Sequence, residues 1–470
     1  MAQPTIPSLS IPALRSGYEQ GLFTPREVVN AVYDRIDAYP DKAVWITLAP
    51  RARALADAER LVQLRSQSPS SSSSSSSPLL PLYGIPFSVK DSIDVAHYPT
   101  TLACPSFAYT PGRTAPAVQK ILDAGGIFVG KANLDQFATG LSGCRSPYGT
   151  PRCVADGDYV SGGSSSGSAV GVGAGLVSFA VATDTAGSTR VPAALNGVVG
   201  LKPTLGTVST VGLVPACRTA DCVTVIAGSV GEVGEVWRVV RGFDEEDVYA
   251  RRTVPGWKPW PGVGRGIRFG VPPREVLGVL SPEYGRLFGE VVDGLGTKLG
   301  LVKREFEYAP FQKANDMLYG SSIVAQRLVA FDDYIAAHGL EKLHPVVRDI
   351  FAASSGFDAV RAYKDIFALQ GYRREAEKQF RDGIDVLVVP STVTHFTVAE
   401  MEERPIERNK TLGTFTHFVN LLDLCAVQVP AGTWKNAKGN LMPFGVTLIG
   451  QAGRDEEMME LGREVMGVTQ

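Results

Sequence analysis

The segment YVSGGSSSGSAVGVGAG, residues 159–175, places five serines within eight positions, 161–168. A serine hydroxyl becomes a good nucleophile only when a neighbouring group removes its proton. Residues 163–167 fit the G-x-S-x-G pattern of a nucleophile elbow, with Ser165 as the nucleophile. An elbow of this kind follows an apolar strand and needs a histidine base. The preceding residues, RCVADGDYVSGG, are polar and turn-rich, and no context singles out one of the five histidines. The pattern therefore indicates the nucleophile only weakly.

A second serine, Ser188, lies in a more favourable context. An apolar stretch, SFAVAT, leads into Asp184 and then into small residues that precede Ser188. Small residues allow successive backbone N–H groups to point into one cavity, as an oxyanion hole requires. Lys90 follows another apolar stretch, GIPFSV, where burial would lower its pKa and make it a neutral base. Spacing alone leaves two alternatives open, a solvated lysine and a Gly/Ser turn that serves only as a turn or an anion nest.

Three motifs in this region resemble those of the amidase signature family. GIPFSVKD, GGSSSGSA and TDTAGSTRVPAALNGVVGLKPT occur in the order and spacing of that family, and the likeness is dense over residues 80–205. The resemblance implies amide hydrolysis by a Ser–cis-Ser–Lys triad, with a cis peptide bond before the middle serine and no metal or cofactor. The implied residues are Lys90 as base, Ser164 as relay, Ser188 as nucleophile, the backbone N–H groups of Thr185, Ala186, Gly187 and Ser188 as oxyanion hole, and Asp184, Arg190 and Ser165 as supports of the loop.

Further segments resemble the allophanate hydrolases within that family. They are residues 99–111, 133–149, 414–432 and 442–455. The resemblance implies a small anionic amide as substrate, held by Tyr319 and Arg327, with Gly140 and Ser142 as further contacts. Positions i and i+8 share one face of a helix, and a guanidinium fork matches a carboxylate. The spacing taken alone favours the alternative of a helix with one core tyrosine and one solvated arginine.

Three alternatives to an allophanate hydrolase remain at this stage. One is an amidase of other small amides, and the second is the amidase subunit of a tRNA-dependent amidotransferase. The third, from another class, is a binding module that keeps the fold without catalysis; competent residues at all three triad positions disfavour it. Many allophanate hydrolases continue into a second domain, which we expect to be absent from these 470 residues. The family also implies a homodimer.

Composition limits the function further. The net charge of −2 argues against a nucleic-acid binder that works through a broad basic field. There is no secretory signal at the start and no apolar run of the ~20 residues that a membrane span needs. Six cysteines without a C-x-x-C pair predict reduced, mostly buried thiols, and the histidines lack metal-ligand spacing. These features predict a cytoplasmic enzyme without a metal.

The elements that position these motifs alternate between helices and strands. The capping box Thr24-Pro25-Arg26-Glu27 predicts a helix start, and helices are predicted at 51–64, 283–299, 314–339 and 346–381. Strands that lead into loops are predicted before Lys90 and within 125–135, a strand follows a buried helix within 169–182, and further strands are predicted at 266–272 and within 385–393. The alternation and the resemblance together predict an α/β fold, with a large mixed central β-sheet covered by α-helices on both faces. We expect residues 1–80, with a serine-rich surface loop at 70–77, to join residues 81–470 in one amidase signature domain, and residues 255–266 to be a connector.

Overall fold

A computed structural model of the protein describes residues 6–67, 80–256, 260 and 266–469. The serine-rich stretch 70–77 and most of the predicted connector 255–266 lie outside the described residues. The strands are β1 Trp45–Leu48, β2 Pro86–Lys90, β3 Ile127–Ala132, β4 Phe179–Asp184, β5 Val199–Lys202, β6 Cys222–Ala227, β7 Arg268–Gly270, β8 Val302–Lys303, β9 Val386–Pro390, β10 Leu424–Lys435 and β11 Leu441–Gln451.

Helices lie between most of these strands. They are α1 Ile11–Glu19, α2 Pro25–Ala38, α3 Arg51–Gln67, α4 Pro116–Asp123, α5 Ser166–Gly173, α6 Arg190–Leu195, α7 Val230–Val240, α8 Arg274–Leu277, α9 Pro282–Thr297, α10 Ala309–Gly320, α11 Gln326–Ala330, α12 Asp332–His338, α13 Pro345–Ser354, α14 Ala359–Asp382, α15 Val398–Glu403, α16 Pro405–Leu412, α17 His417–Leu421 and α18 Asp455–Thr469.

The described strands form one mixed sheet in the order β1-β3-β2-β4-β6-β5-β10-β11-β9-β7-β8. Strands β3, β2 and β4 are parallel to one another, as are β9, β7 and β8. The strands from β4 to β9 in the middle of the sheet pair antiparallel. The long hairpin β10–β11 therefore joins two partly parallel halves, and β5 pairs with β10 through contacts such as Gly200 with Gln428.

Both faces of this sheet are buried. Along β9, Val386 and Val388 enter one hydrophobic cluster, whereas Leu387 and Val389 enter a second cluster. Successive strand residues point to opposite faces, so the two clusters lie on opposite faces of the sheet at β9. Helices α7, α9 and α18 pack into the first cluster, and α10, α14 and α17 pack into the second. The structure confirms the predicted α/β fold with a large mixed sheet covered by helices on both faces.

The helix predictions succeed where the chain carries a clear start signal and fail where a helix is interrupted. The capping box is present at the start of α2, with the Thr24 amide donating to Glu27 Oε2 over 2.7 Å. The predicted single helix 314–339 is wrong, because α10, a 3-10 turn, α11 and α12 occupy this range. The predicted helix 346–381 is also wrong, since it divides into α13 and α14 around Gly356. Glycine and serine at these breaks favour non-helical backbone.

Two further predictions concern the cysteines and the membrane. All six cysteines are free and five of them are buried, as predicted. Within the described part of the chain, every helix is too short or too polar to cross a lipid bilayer.

Candidate active site

The predicted triad residues gather at the carboxyl ends of two parallel strands. Lys90 is the last residue of β2 and Asp184 is the last residue of β4, and these strands pair directly. The carboxyl ends of parallel strands lie at the same edge of a sheet, where sites commonly form. Ser188 follows β4 in the loop that leads to α6, and Ser164 precedes α5. Local topology thus brings three distant motifs to one place.

Lys90 is fully buried and makes two hydrogen bonds to hydroxyl groups. Its Nζ lies 2.7 Å from Ser164 Oγ and 2.8 Å from Thr183 Oγ1. Burial lowers the pKa of Lys90 to about 7, against the opposing influence of the carboxylates of Asp135, Asp184 and Asp221. Near neutral pH a large fraction of Lys90 is therefore uncharged and able to accept a proton through Ser164. Thr183 has no part in the sequence prediction.

Ser165 connects the two other serines of the predicted site. The peptide bond between Gly163 and Ser164 is cis, as the resemblance implies. The Ser165 amide donates to the carbonyl oxygen of Ser188 over 3.1 Å, and the Ser165 hydroxyl donates to the Thr183 carbonyl over 3.1 Å. Ser164 and Ser188 are themselves buried. Ser165 therefore holds the relay segment, residues 163–165, against the loop that carries Ser188.

Asp184 and Arg190 form a fully buried, two-pronged ion pair across this loop. The Arg190 Nε and Nη2 groups donate to the two carboxylate oxygens of Asp184 over 2.9 and 2.8 Å. Burial alone would raise the pKa of Asp184, but Arg190 and backbone hydrogen bonds hold it at about 2. The amides of Gly187 and Thr189 also donate to this carboxylate. Asp184 thus organises the backbone on both sides of Ser188.

One of the four predicted oxyanion-hole amides is committed elsewhere. The Gly187 N–H donates to Asp184 Oδ1 over 2.8 Å, so the prediction for Gly187 is wrong in this structure. Its φ of +115° and the 2.3 Å that would separate a Cβ from Thr416 Oγ1 explain the glycine instead. The amides of Thr185, Ala186 and Ser188 make no hydrogen bond to another residue that the structure describes. These three remain available to an oxyanion.

Two residues next to or within α17 lock the same loop and were not predicted. Thr416 Oγ1 donates to the Ala186 carbonyl over 2.7 Å, and Asn420 Nδ2 donates to the Asp184 carbonyl over 2.7 Å. Asn420 Oδ1 also accepts a hydrogen bond from Arg190 over 3.0 Å. Both belong to segment 414–432, whose likeness to the allophanate hydrolases is the signal that could have found them. The loop is therefore fixed from the far end of the chain.

Tyr319 and Arg327 do not share one helix, so the predicted i, i+8 geometry is wrong. The helix α10 ends just after Tyr319, because Ser321 is extended and its hydroxyl donates to the Met317 carbonyl. A 3-10 turn, Ser322–Ala325, separates it from α11, which begins just before Arg327. Both side chains nevertheless lie near His417, because Tyr319 packs against its ring and the charge of Arg327 helps to lower its pKa.

Arg327 is buried and directed inward. Its Nη1 donates to Thr139 Oγ1 over 2.8 Å, and the Phe137 carbonyl lies at 3.5 Å. Its positive charge opposes protonation of Lys90, which places it near that amine. Tyr319 packs edge-on against His417, with ring centres 5.4 Å apart, and lines a cavity of about 320 Å³. Burial lowers the pKa of His417 to about 3, so this imidazole is neutral.

The loop 139–145 lies against the relay segment. The Gly163 amide donates to the Leu141 carbonyl over 2.8 Å, which places the predicted contacts Gly140 and Ser142 beside it. Ser142 is buried, and its hydroxyl accepts a hydrogen bond from the Cys144 amide.

Among all the described residues, no group of three or more His, Cys, Asp and Glu side chains is arranged to hold a metal ion.

Comparison with known proteins agrees with this architecture. The family model for amidases matches residues 27–459, and the chain therefore belongs to the amidase family of C–N bond hydrolases. It is 37% identical over 453 residues to the urea amidolyase of Lachancea kluyveri, an alignment that covers 95% of this chain and 24% of that protein. A solved structure of Kluyveromyces lactis allophanate hydrolase superposes with a TM-score of 0.87 at 35% identity, over 98% of this chain and 72% of that one.

The chain also resembles another group of amidases. It is 32% identical over 490 residues to one subunit of the glutamyl-tRNA(Gln) amidotransferase from Deinococcus radiodurans, an alignment that covers 97% of each chain. By contrast, the chain spans about a quarter of the length of the urea amidolyases that it matches.

Proposed function

We propose that this protein hydrolyses the amide bond of allophanate, urea-1-carboxylate, and releases ammonia. The observation that carries the proposal is the environment of Arg327. This guanidinium is buried, and its hydrogen bonds go to a hydroxyl and a carbonyl. No carboxylate among the described residues lies within ion-pair distance of it. The buried carboxylate of Asp221 is near enough for the charge of Arg327 to oppose the rise of its pKa, but the two make no direct ion pair. A buried cation without a direct counterion is costly, and an anionic substrate would supply one.

The proposed reaction begins with proton transfer away from Ser188. Neutral Lys90 takes the proton of Ser164, and Ser164 takes that of Ser188 as the Ser188 oxygen attacks the amide carbon. The 2.7 Å contact between Lys90 Nζ and Ser164 Oγ supports the first transfer. The amides of Thr185, Ala186 and Ser188 would stabilise the developing oxyanion. The relay then returns the proton to the departing nitrogen, so that ammonia leaves and an ester on Ser188 remains.

Water completes the cycle by the same relay. Lys90 again accepts a proton through Ser164, now from the water molecule that attacks the ester carbonyl. The Ser188 hydroxyl is regenerated and N-carboxycarbamate is released. Both half-reactions use the same base and the same oxyanion donors, and neither requires a metal.

The proposal is tested by ammonia release from allophanate, malonamate, acetamide and glutamine. We expect allophanate to be strongly preferred, and Arg327→Ala to reduce kcat/KM for allophanate about 100-fold or more. Measured well above pH 7, where Lys90 is uncharged with or without Arg327, the same variant should change acetamide hydrolysis little, because acetamide has no carboxylate. Arg327→Lys, which keeps the charge and loses the fork, should be intermediate. Equal turnover of neutral amides by the wild type would refute the substrate assignment.

Glutamine hydrolysis is the second candidate, favoured by the full-length similarity to a subunit of an amidotransferase. In that case glutamine would exceed allophanate in the same assay. Ser188→Ala should abolish activity on every substrate under either candidate.

A further inference from the structure

One buried carboxylate close to the relay serine has no role in the reaction described above. Asp135 is fully buried and follows β3, the strand that pairs with β2 through the contact of Ala132 with Lys90. Its two oxygens accept hydrogen bonds from the amides of Arg145 and Gly143, over 2.9 and 3.0 Å. In the described part of the chain no cationic side chain lies within ion-pair distance of it. A buried charge that is held only by backbone amides calls for an explanation.

Asp135 holds the relay serine from two directions. Its backbone amide donates to the carbonyl oxygen of Ser164 over 3.1 Å. Its Oδ2 lies so close to Gly163 that a Cβ there would come within 2.1 Å, and a Cβ at Gly140 would come within 2.6 Å. The carboxylate therefore packs directly on the Gly163–Ser164 peptide and on Gly140 of the loop 139–145, where substrate contacts are predicted. A shift of Asp135 would move Ser164.

The charge of Asp135 also acts on Lys90. Four charged groups influence the protonation of this amine, and Asp135 is the strongest of the three carboxylates that favour the ammonium form. The others are Asp184 and Asp221, and Arg327 opposes them. Asp184 is neutralised by Arg190, and Asp221 is bonded to Thr185 and to backbone amides. Of the three carboxylates, Asp135 is therefore the one whose oxygens accept no hydrogen bond from a side chain among the described residues.

We propose that Asp135 is a positioning residue that fixes the Gly163–Ser164 peptide and stabilises the Lys90 ammonium formed when the relay accepts a proton from Ser188. The proton moves from Ser188 Oγ to Ser164 Oγ while the Ser164 proton moves to Lys90 Nζ, which gains one positive charge. The fixed carboxylate stabilises that charge in the transition state without reorganisation. This inference rests on the proposed triad and is independent of the proposed substrate.

The test is the pH dependence of kcat/KM for Asp135→Asn, with whichever amide the wild type hydrolyses best. The acidic limb reports the protonation of Lys90 in the free enzyme. Loss of the negative charge disfavours the ammonium, so the limb should move to lower pH by on the order of one unit. The rate on the plateau should fall at least tenfold. A purely structural defect would lower the rate at every pH and leave the acidic limb at its wild-type pH. Either that result or a shift of the limb to higher pH would overturn the proposal.

Asp156→Asn is the matched control. Asp156 is also buried and accepts hydrogen bonds from a backbone amide and from Asn436 and Asn440, but it pairs with Lys438 and anchors the β10–β11 hairpin instead of the relay serine. Its replacement should leave the acidic limb unchanged. If Asp135→Asn does not fold, Asp135→Ser is the substitute variant. It removes the charge, its hydroxyl can accept a hydrogen bond from one of the two amides, and its acidic limb should also move to lower pH.

A companion variant separates failure of this inference from failure of the proposed function. If Lys90→Met retains wild-type activity, both the proposed triad and the proposed role of Asp135 are refuted. If Lys90→Met is inactive but the acidic limb of the Asp135→Asn pH profile matches that of the wild type, only the proposed role of Asp135 is refuted.

Discussion

Removing one partner of the buried ion pair between Asp184 and Arg190 should destabilise the protein far more than removing one partner of an arginine–aspartate pair of the same shape at the surface. Asp184→Asn leaves the Arg190 guanidinium buried without its counterion and weakens the bonds to the Gly187 and Thr189 amides. Removal of one partner of a buried pair costs about 3–5 kcal/mol, because the remaining charge is uncompensated. We therefore expect the free energy of unfolding of Asp184→Asn to fall by that amount at neutral pH.

The pKa of Asp184 gives a second measure of this contribution. Lowering the pKa from 3.8 to about 2 corresponds to roughly 2 kcal/mol of stability. Because the folded state holds the depressed pKa, this stability is present above about pH 4 and is lost as the pH falls through about 2. The value is smaller than the cost of the substitution, since protonation keeps the carboxyl group in place.

Urea unfolding, followed by fluorescence, compares Asp184→Asn with Asp385→Asn. Asp385 also binds an arginine through two oxygens, with Arg268 Nη2 and Nε at 2.9 and 3.1 Å, but both side chains are more than a quarter exposed. The Asp385 variant should lose at most about 1 kcal/mol. Similar losses in both variants would refute the reasoning, because burial would then not decide the cost.

Four other outcomes are expected. The value of kcat/KM should decrease as the pH falls through about 7, because protonated Lys90 cannot accept a proton; a flat ammonia-release profile there would contradict this. Thr183→Val, which removes a hydrogen-bond partner of the buried Lys90 amine, should reduce kcat/KM about tenfold in steady-state kinetics and lower the free energy of unfolding by about 1–3 kcal/mol. Gly413→Ala, whose Cβ would lie 1.8 Å from His417 Nε2, should destabilise the protein by about 1–3 kcal/mol in urea. Gly285→Ala lies on the exposed side of α9, where a Cβ meets nothing within 4 Å, and should instead stabilise the protein by roughly 0.5–1 kcal/mol. A lower free energy of unfolding in this variant would argue against a helix at Gly285.

The sequence predicts the central part of the site because short motifs carry it. Lys90 and Ser188 each follow an apolar strand, and parallel pairing of β2 with β4 brings the ends of these strands together. The order of motifs and strands is encoded locally in the chain, so it can be recognised before the fold is known. The α/β fold with both faces covered is predicted for the same reason.

The failures share a physical cause, which is competition for backbone hydrogen bonds. The resemblance implies a free amide at Gly187, but the Asp184 carboxylate accepts a hydrogen bond from it. The resemblance also implies one helix for Tyr319 and Arg327, but the Ser321 hydroxyl donates to the Met317 carbonyl and α10 ends there. Side chains that bind nearby backbone are visible only once the backbone is folded.

Residues that support the site from a distance were missed for another reason. Asn420 is 236 positions from Asp184 in the chain, and no local pattern links them. Thr183 has the character of an ordinary strand residue, and Asp135 that of one polar residue in a turn. Their roles depend on tertiary contacts that periodicity does not encode.

The place of the β10–β11 hairpin has a consequence for biosynthesis. A ribosome delivers Lys90, Ser164 and Ser188 well before the hairpin and the two α17-region side chains that lock the loop. Until then the edge of β5 has no partner, and an unpaired strand edge is prone to misassociation. We expect the nascent chain to remain catalytically silent and dependent on shielding by chaperones until the hairpin inserts. Acquisition of activity is then a late event in translation, although the triad is among the earlier parts to be made.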